Sequence, residues 1–117
     1  MSGNPESTAQ KIEAMLQVMW KSSRSIIAER IATLRNAQER LAEGSLDRIT
    51  RKEAESAAHK LAGVLGTFGL PEGSALASKI EVLMAQDAGI NQQQQQEFAD
   101  WLNRMESQIV NKDQSKN

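Results

Sequence analysis

Apolar residues in this chain return at spacings of three and four, and they do so in four separate stretches. Ile12, Met15, Leu16 and Met19 open the first stretch, and Ile27, Ile31, Leu34 and Leu41 continue it. Ala54, Ala57, Leu61, Leu65 and Phe68 make the second, Leu76, Ile80, Leu83 and Met84 the third, and Phe98, Leu102, Met105 and Ile109 the fourth. That period is the turn of an α-helix, so each set lies along one helical face. Composition agrees: there are 2 prolines in 117 residues, aromatics are 3 %, and good helix formers dominate.

The ends of these helices carry local signals. Asn4-Pro5-Glu6 reads as a capping asparagine, a proline at the first helical position and a carboxylate in the first turn. The first helix is expected to reach about Ala42 and to stop at Gly44. Its register drifts across the polar run Lys21 to Ser25, which allows either a bend or a short extra helix at the N-terminus. Thr50 to Glu53 has the spacing of a capping box for the second helix, with Ser45 as an alternative cap for an earlier turn holding Leu46 and Ile49. Gly69, Leu70 and Pro71 mark its end in the order of a Schellman stop. The third helix is expected to finish near Gly89, and Asn91 with Gln94 forms a capping box for the fourth. From about Asn111 the chain is polar and aperiodic, which predicts a tail or linker over 111–117. Short connections favour antiparallel neighbours, so the expected fold is all-α, an up-down-up-down four-helix bundle.

Length and composition narrow the function. The chain is long enough for one domain with a single core. It has no cysteine, hence neither a disulfide framework nor a thiolate metal site. A net charge of -1 gives no whole-chain reason to expect nucleic acid. The apolar runs are far short of a membrane span, and the first residues do not read as a leader, so a cytoplasmic location is expected. Trp20 and Trp101 read as packing residues at the ends of the bundle, and the interleaved arginines Arg24, Arg30, Arg35, Arg40 and Arg48 as partners in helix-surface ion pairs.

The second helix holds the residue of greatest chemical interest. His59 is the single histidine, and it projects nearly opposite the apolar face, towards solvent. Taken alone, one histidine on a helix is more often an ordinary residue than a functional one. Its surroundings are unusual: Glu55 and Ser56 lie one turn back, and Ala62, Gly63, Gly66 and Thr67 follow, all small. A glycine inside a helix costs about 1 kcal/mol relative to alanine. Because Gly63 and Gly66 do not point at the core sector, packing within the chain is not expected to explain them. The reading is a bare landing surface around an exposed nucleophile. A lone imidazole is a poor metal site, which needs several convergent ligands. The sequence offers no Gly-rich phosphate loop, no acidic metal cluster and no second catalytic partner for His59.

The run His59-Lys60-Leu61-Ala62-Gly63-Val64, closed by Phe68-Gly69-Leu70, resembles the motif of the histidine phosphotransfer (HPt) domain of bacterial phosphorelays. The family pattern is His, any residue, Leu, Lys, Gly, Ser, with a hydrophobic-glycine pair about two turns later. His59, Leu61, Gly63 and Phe68-Gly69 match it; Ala62 stands where the family has lysine and Val64 where it has serine. The resemblance is specific over residues 54–84 and architectural elsewhere, and it implies an HPt-like domain over residues 1–110.

What the resemblance implies is a relay. His59 would accept a phosphoryl group from, and return it to, the aspartate of a receiver domain, in a response regulator or in a hybrid histidine kinase. The receiver would supply Mg²⁺ and a lysine, so this chain would need no cofactor of its own and would have no autonomous kinase activity. Lys60 and Lys52 are solvated charges in the plain reading and charge support for the phosphoryl group in the functional one. Glu55, Ser56, Ala62, Gly63, Gly66 and Thr67 would form the partner-binding surface, and the module is expected to be monomeric. The alternative is a non-catalytic helical adaptor that binds a receiver without accepting phosphate, a reading that Ala62 and Val64 keep open.

Overall fold

The computed structural model describes residues 5–115, with side chains from Thr8 onward. Four helices follow one another: α1 (Pro5–Ala42), α2 (Arg48–Thr67), α3 (Pro71–Ala85) and α4 (Gln92–Gln114). Each packs on the next and α4 returns to α1, closing a four-helix bundle in which α2 and α3 form the most extensive pair. The core is the set of facing stripes, with Ile27, Leu34, Leu61, Leu65, Leu76, Ile80, Phe98, Leu102 and Met105 fully buried. Removing any one of the larger of these to alanine costs about 2–5 kcal/mol in comparable cores.

The stops are those the glycines announce. Gly44 and Gly69 take φ of 75° and 77°, the left-handed conformation that glycine adopts without a Cβ penalty. After α1, Ser45 N–H reaches Arg40 C=O at 2.8 Å and Gly44 N–H reaches Leu41 C=O at 3.1 Å. After α2, Leu70 N–H reaches Leu65 C=O at 2.9 Å and Gly69 N–H reaches Gly66 C=O at 3.2 Å. Both are Schellman pairs. At the start of α4 the box is complete: Asn91 accepts from Gln94 N–H, and the Gln94 side chain accepts from Asn91 N–H.

Several expectations are corrected. α1 is one continuous helix through Lys21 to Ser25, with neither a break nor an extra helix; Asn4 lies outside the described residues. α2 is capped by Asp47, not by Ser45 or Thr50. The Asp47 carboxylate accepts from Thr50 N–H at 2.7 Å, and that bond, with the Thr50 hydroxyl after it, holds the carboxyl below its usual range. α3 ends at Ala85 rather than near Gly89, and α4 continues past Asn111 to Gln114. Its last turn has a partner: Asp113 accepts from Trp20 Nε1 at 2.8 Å and from Arg24 Nε at 2.9 Å. Arg35 pairs with Glu106, so Arg24 and Arg35 tie α1 to α4 instead of forming pairs along one helix.

The largest departure concerns the first half of α1. Ile12, Met15, Leu16 and Met19 continue the helical stripe, yet they are 55 %, 62 %, 40 % and 47 % exposed. The bundle begins at Trp20, which is buried and packs edge-on against Phe68 with ring centroids 5.3 Å apart. At 38 residues α1 is about 57 Å long, so its N-terminal turns run beyond the other three helices.

Candidate functional site

α2 buries Ala54, Ala57, Ala58, Leu61 and Leu65 against the bundle, and that face dictates where His59 points. With Ala58 fully buried directly before it, His59 is turned outward and its side chain is 73 % exposed. The imidazole is held from a neighbouring helix: Nδ1 lies 3.0 Å from Oε2 of Glu81 on α3. An ionised carboxylate can only accept a hydrogen bond, so in the neutral ring the proton sits on Nδ1 and the Nε2 lone pair is free. The sequence names no hydrogen-bond partner for His59, and Glu81 is one. Glu81 follows the core residue Ile80 and is half-buried, at the edge of α3 that meets α2. Its place beside Ile80 and its status as the one carboxylate in the second half of α3 are the sequence signals that could have singled it out.

The small residues separate into two kinds. A Cβ on Gly63 would meet nothing within 4 Å, so this position is open surface. A Cβ on Gly66 would lie 3.4 Å from Ser74 Oγ and 3.8 Å from Ser74 Cβ. That is ordinary contact distance, so Gly66 lies beside α3 on an exposed face with room for a Cβ. Ser74 completes the contact by donating to Ala62 C=O at 2.7 Å. Ala62 is partly buried against the core, as is Val64, so an apolar residue at 64 has a packing reason. Thr67 turns its hydroxyl back to Gly63 C=O at 3.0 Å.

Of the other candidates, Ser56, Lys60 and Lys52 are exposed and Glu55 is half-buried. Neither lysine forms a salt bridge among the described residues. Lys60 adjoins His59 in sequence, whereas Lys52 stands two turns away, about 10 Å along the axis. Beside it, Ile49 is 72 % exposed and joins Arg48, Lys52, Glu53 and Ser56 around a shallow apolar depression. Ile49 was not among the expected surface residues; two turns and more from His59, it lengthens the exposed strip of α2.

The site is one accessible imidazole, backed by a carboxylate, on the outer face of a helical bundle. A family model described as Hpt domain matches residues 14–110. The chain belongs to that family, the histidine phosphotransfer domains of phosphorelay systems, which are helical bundles that interact with receiver domains. No curated protein and no solved structure gives a significant match. No helix among the described residues is long and apolar enough to cross a membrane.

Proposed function

We propose that His59 is the phosphoacceptor of a phosphorelay, exchanging a phosphoryl group with the aspartate of a receiver domain. The observation that carries this reading is the hydrogen bond from His59 Nδ1–H to Glu81, which leaves Nε2 as the nucleophile on an exposed ring. In the forward step the Nε2 lone pair attacks phosphorus and a P–N bond forms. The bond from phosphorus to the aspartyl oxygen breaks, and the aspartate leaves as a carboxylate. The ring gains positive charge as this happens, and the Glu81 carboxylate stands 3.0 Å from Nδ1 to meet it. The return step reverses each of these changes.

Phosphoryl transfer depends chiefly on in-line positioning and on neutralising the equatorial oxygens. In this reading the receiver contributes its own Mg²⁺ and lysine, and this chain contributes a fixed nucleophile and a surface to dock on. That surface is Gly63 with Ser56 and Thr67, flanked by Glu55, Ala62 and Gly66, and extended towards Ile49. Lys60 and Lys52, both exposed on α2, offset charge on the phosphoryl group where Ala62 supplies none.

The test is label transfer from a phosphorylated receiver domain. His59→Gln is expected to accept no phosphate while keeping its helical circular dichroism, and labelling of that variant would remove His59 from the role. Lys60→Ala and Lys52→Ala, assayed alongside, are expected to transfer more slowly; wild-type rates in both would leave them as solvated charges. A wild-type protein that binds the receiver yet never becomes labelled is the adaptor of the alternative reading, which rests on Ala62 and Val64.

A further inference from the structure

We infer that Arg51 is a positioning residue for His59: it fixes the end of α3 against α2 and so keeps Glu81 within reach of the imidazole. Its bearing on phosphotransfer rests on His59 as the phosphoacceptor; its bearing on the ring itself does not.

The last carbonyls of a helix have no partner within it, and a cation near that end is favoured. α3 carries no basic residue in its last turn. It gives way to extended backbone at Gln86, with φ of -71° and ψ of 138°, and lacks the left-handed glycine that follows α1 and α2. Arg51 reaches across from near the start of α2 and supplies both the charge and the donors. Its Nε donates to Met84 C=O at 3.0 Å, and its Nη2 donates to Gln86 C=O and, at 3.2 Å, to Ala88 C=O. The guanidinium forms no salt bridge among the described residues, so its charge is directed at these carbonyls. Hydrogen bonds from an ionised donor are the stronger kind, and the planar fork holds its acceptors in one arrangement.

These bonds lie close to the site. Glu81 precedes Met84 by one turn of α3, and His59 follows Arg51 by two turns of α2, about 12 Å along the axis. Arg51 therefore ties the two helices on one side of the His59–Glu81 pair. On the other side they are tied by the Ser74 hydroxyl, which donates to Ala62 C=O at 2.7 Å. The pair between these ties joins side chains that are 73 % and 31 % exposed, and a pair so placed contributes little to holding helices together. The helices hold the pair, and Arg51 is the charged tie where α3 has no stop of its own. With that end of α3 released, the Glu81 carboxylate leaves Nδ1 and the neutral ring is free to exchange its proton between the two nitrogens.

Nitrogen-15 NMR of histidine-labelled protein, without a receiver, reads the tautomer of the single imidazole. The wild type is expected to show the Nδ1–H form, and Arg51→Ala to lose it in favour of Nε2–H, as Glu81→Ala does. Arg104→Ala, which removes the ion pairs to Glu72 and Asp100, is the control for a lost surface interaction elsewhere and is expected to keep the wild-type tautomer. In single-turnover transfer from a phosphorylated receiver, Arg51→Ala is expected to be slower than the wild type. In a Glu81→Ala background it is expected to cause no further loss, because residues that act through one another are not additive. Arg51 is half-buried and its replacement is expected to keep the helical circular dichroism; were Arg51→Ala to unfold, Arg51→Gln takes its place in each comparison. A tautomer that is the same in the wild type and the Arg51 variant overturns the proposal. So does an Arg104→Ala shift as large as that of Arg51, or a loss of transfer by the same factor with and without Glu81. The NMR comparison needs no receiver, so a relay that fails and a tie that fails are told apart.

Discussion

At the scale of single residues, the chemistry rests on one hydrogen bond between two helices. In the proposed relay Glu81 holds the His59 proton on Nδ1 and faces the charge that develops on the ring, so it would position the nucleophile without touching phosphorus. Glu81→Ala is expected to slow transfer from a phosphorylated receiver roughly tenfold, equivalent to about 1.4 kcal/mol of barrier. Glu81→Gln keeps an oxygen that can accept from Nδ1–H and is expected to lie between the two; single-turnover rates separate the three proteins, and equal rates would deprive Glu81 of its role. The outward direction of His59 was legible in the sequence, because the apolar period of α2 defines a buried face and therefore an opposite one. The carboxylate was not. It is 22 positions away, and the period of a single helix does not say at what angle its neighbour will pack.

At the scale of elements, α2 buries one face and exposes the other, and both of its interior glycines lie on the exposed side. Gly63 has no neighbour within reach of a Cβ, so no packing is lost by a side chain there, and removing a helix-interior glycine gains up to about 1 kcal/mol. Gly63→Leu is expected to leave the thermal midpoint level or higher while weakening receiver binding, as measured by calorimetric titration. Gly66→Leu adds a side chain on the same exposed face, at contact distance from Ser74, and is expected to weaken receiver binding likewise. If both variants bind like the wild type, the landing surface lies elsewhere. Helix ends were legible where one residue type dictates the geometry, as Gly44, Gly69 and Asn91 do. The start of α2 was not, because Ser45, Asp47 and Thr50 can all cap a helix and the path of the loop chooses among them.

At the scale of the whole molecule, the bundle encloses a core but no site. His59 is exposed on α2 beside Glu81, and in the proposed relay the reaction needs a second protein to complete it. The four-helix architecture was legible from periodicity alone. The reach of the bundle along α1 was not: Ile12 to Met19 and Ile27 to Leu34 show the same spacing, and only the lengths of the other helices decide which part is covered. The polar character of residues after Asn111 concealed a structural turn for the same reason, since Asp113 acts through Trp20 and Arg24, distant in sequence. In the proposed relay Nε2 of His59 carries the phosphoryl group while Nδ1–H is held by Glu81, and a chain with a single histidine allows this to be read directly. Nitrogen-15 NMR of protein labelled at histidine is expected to show one imidazole in the Nδ1–H form at neutral to mildly basic pH. After addition of a phosphorylated receiver domain, a phosphorus coupling is expected on Nε2 alone. Coupling on Nδ1, or an Nε2 signal that never changes while phosphate is consumed, would contradict it.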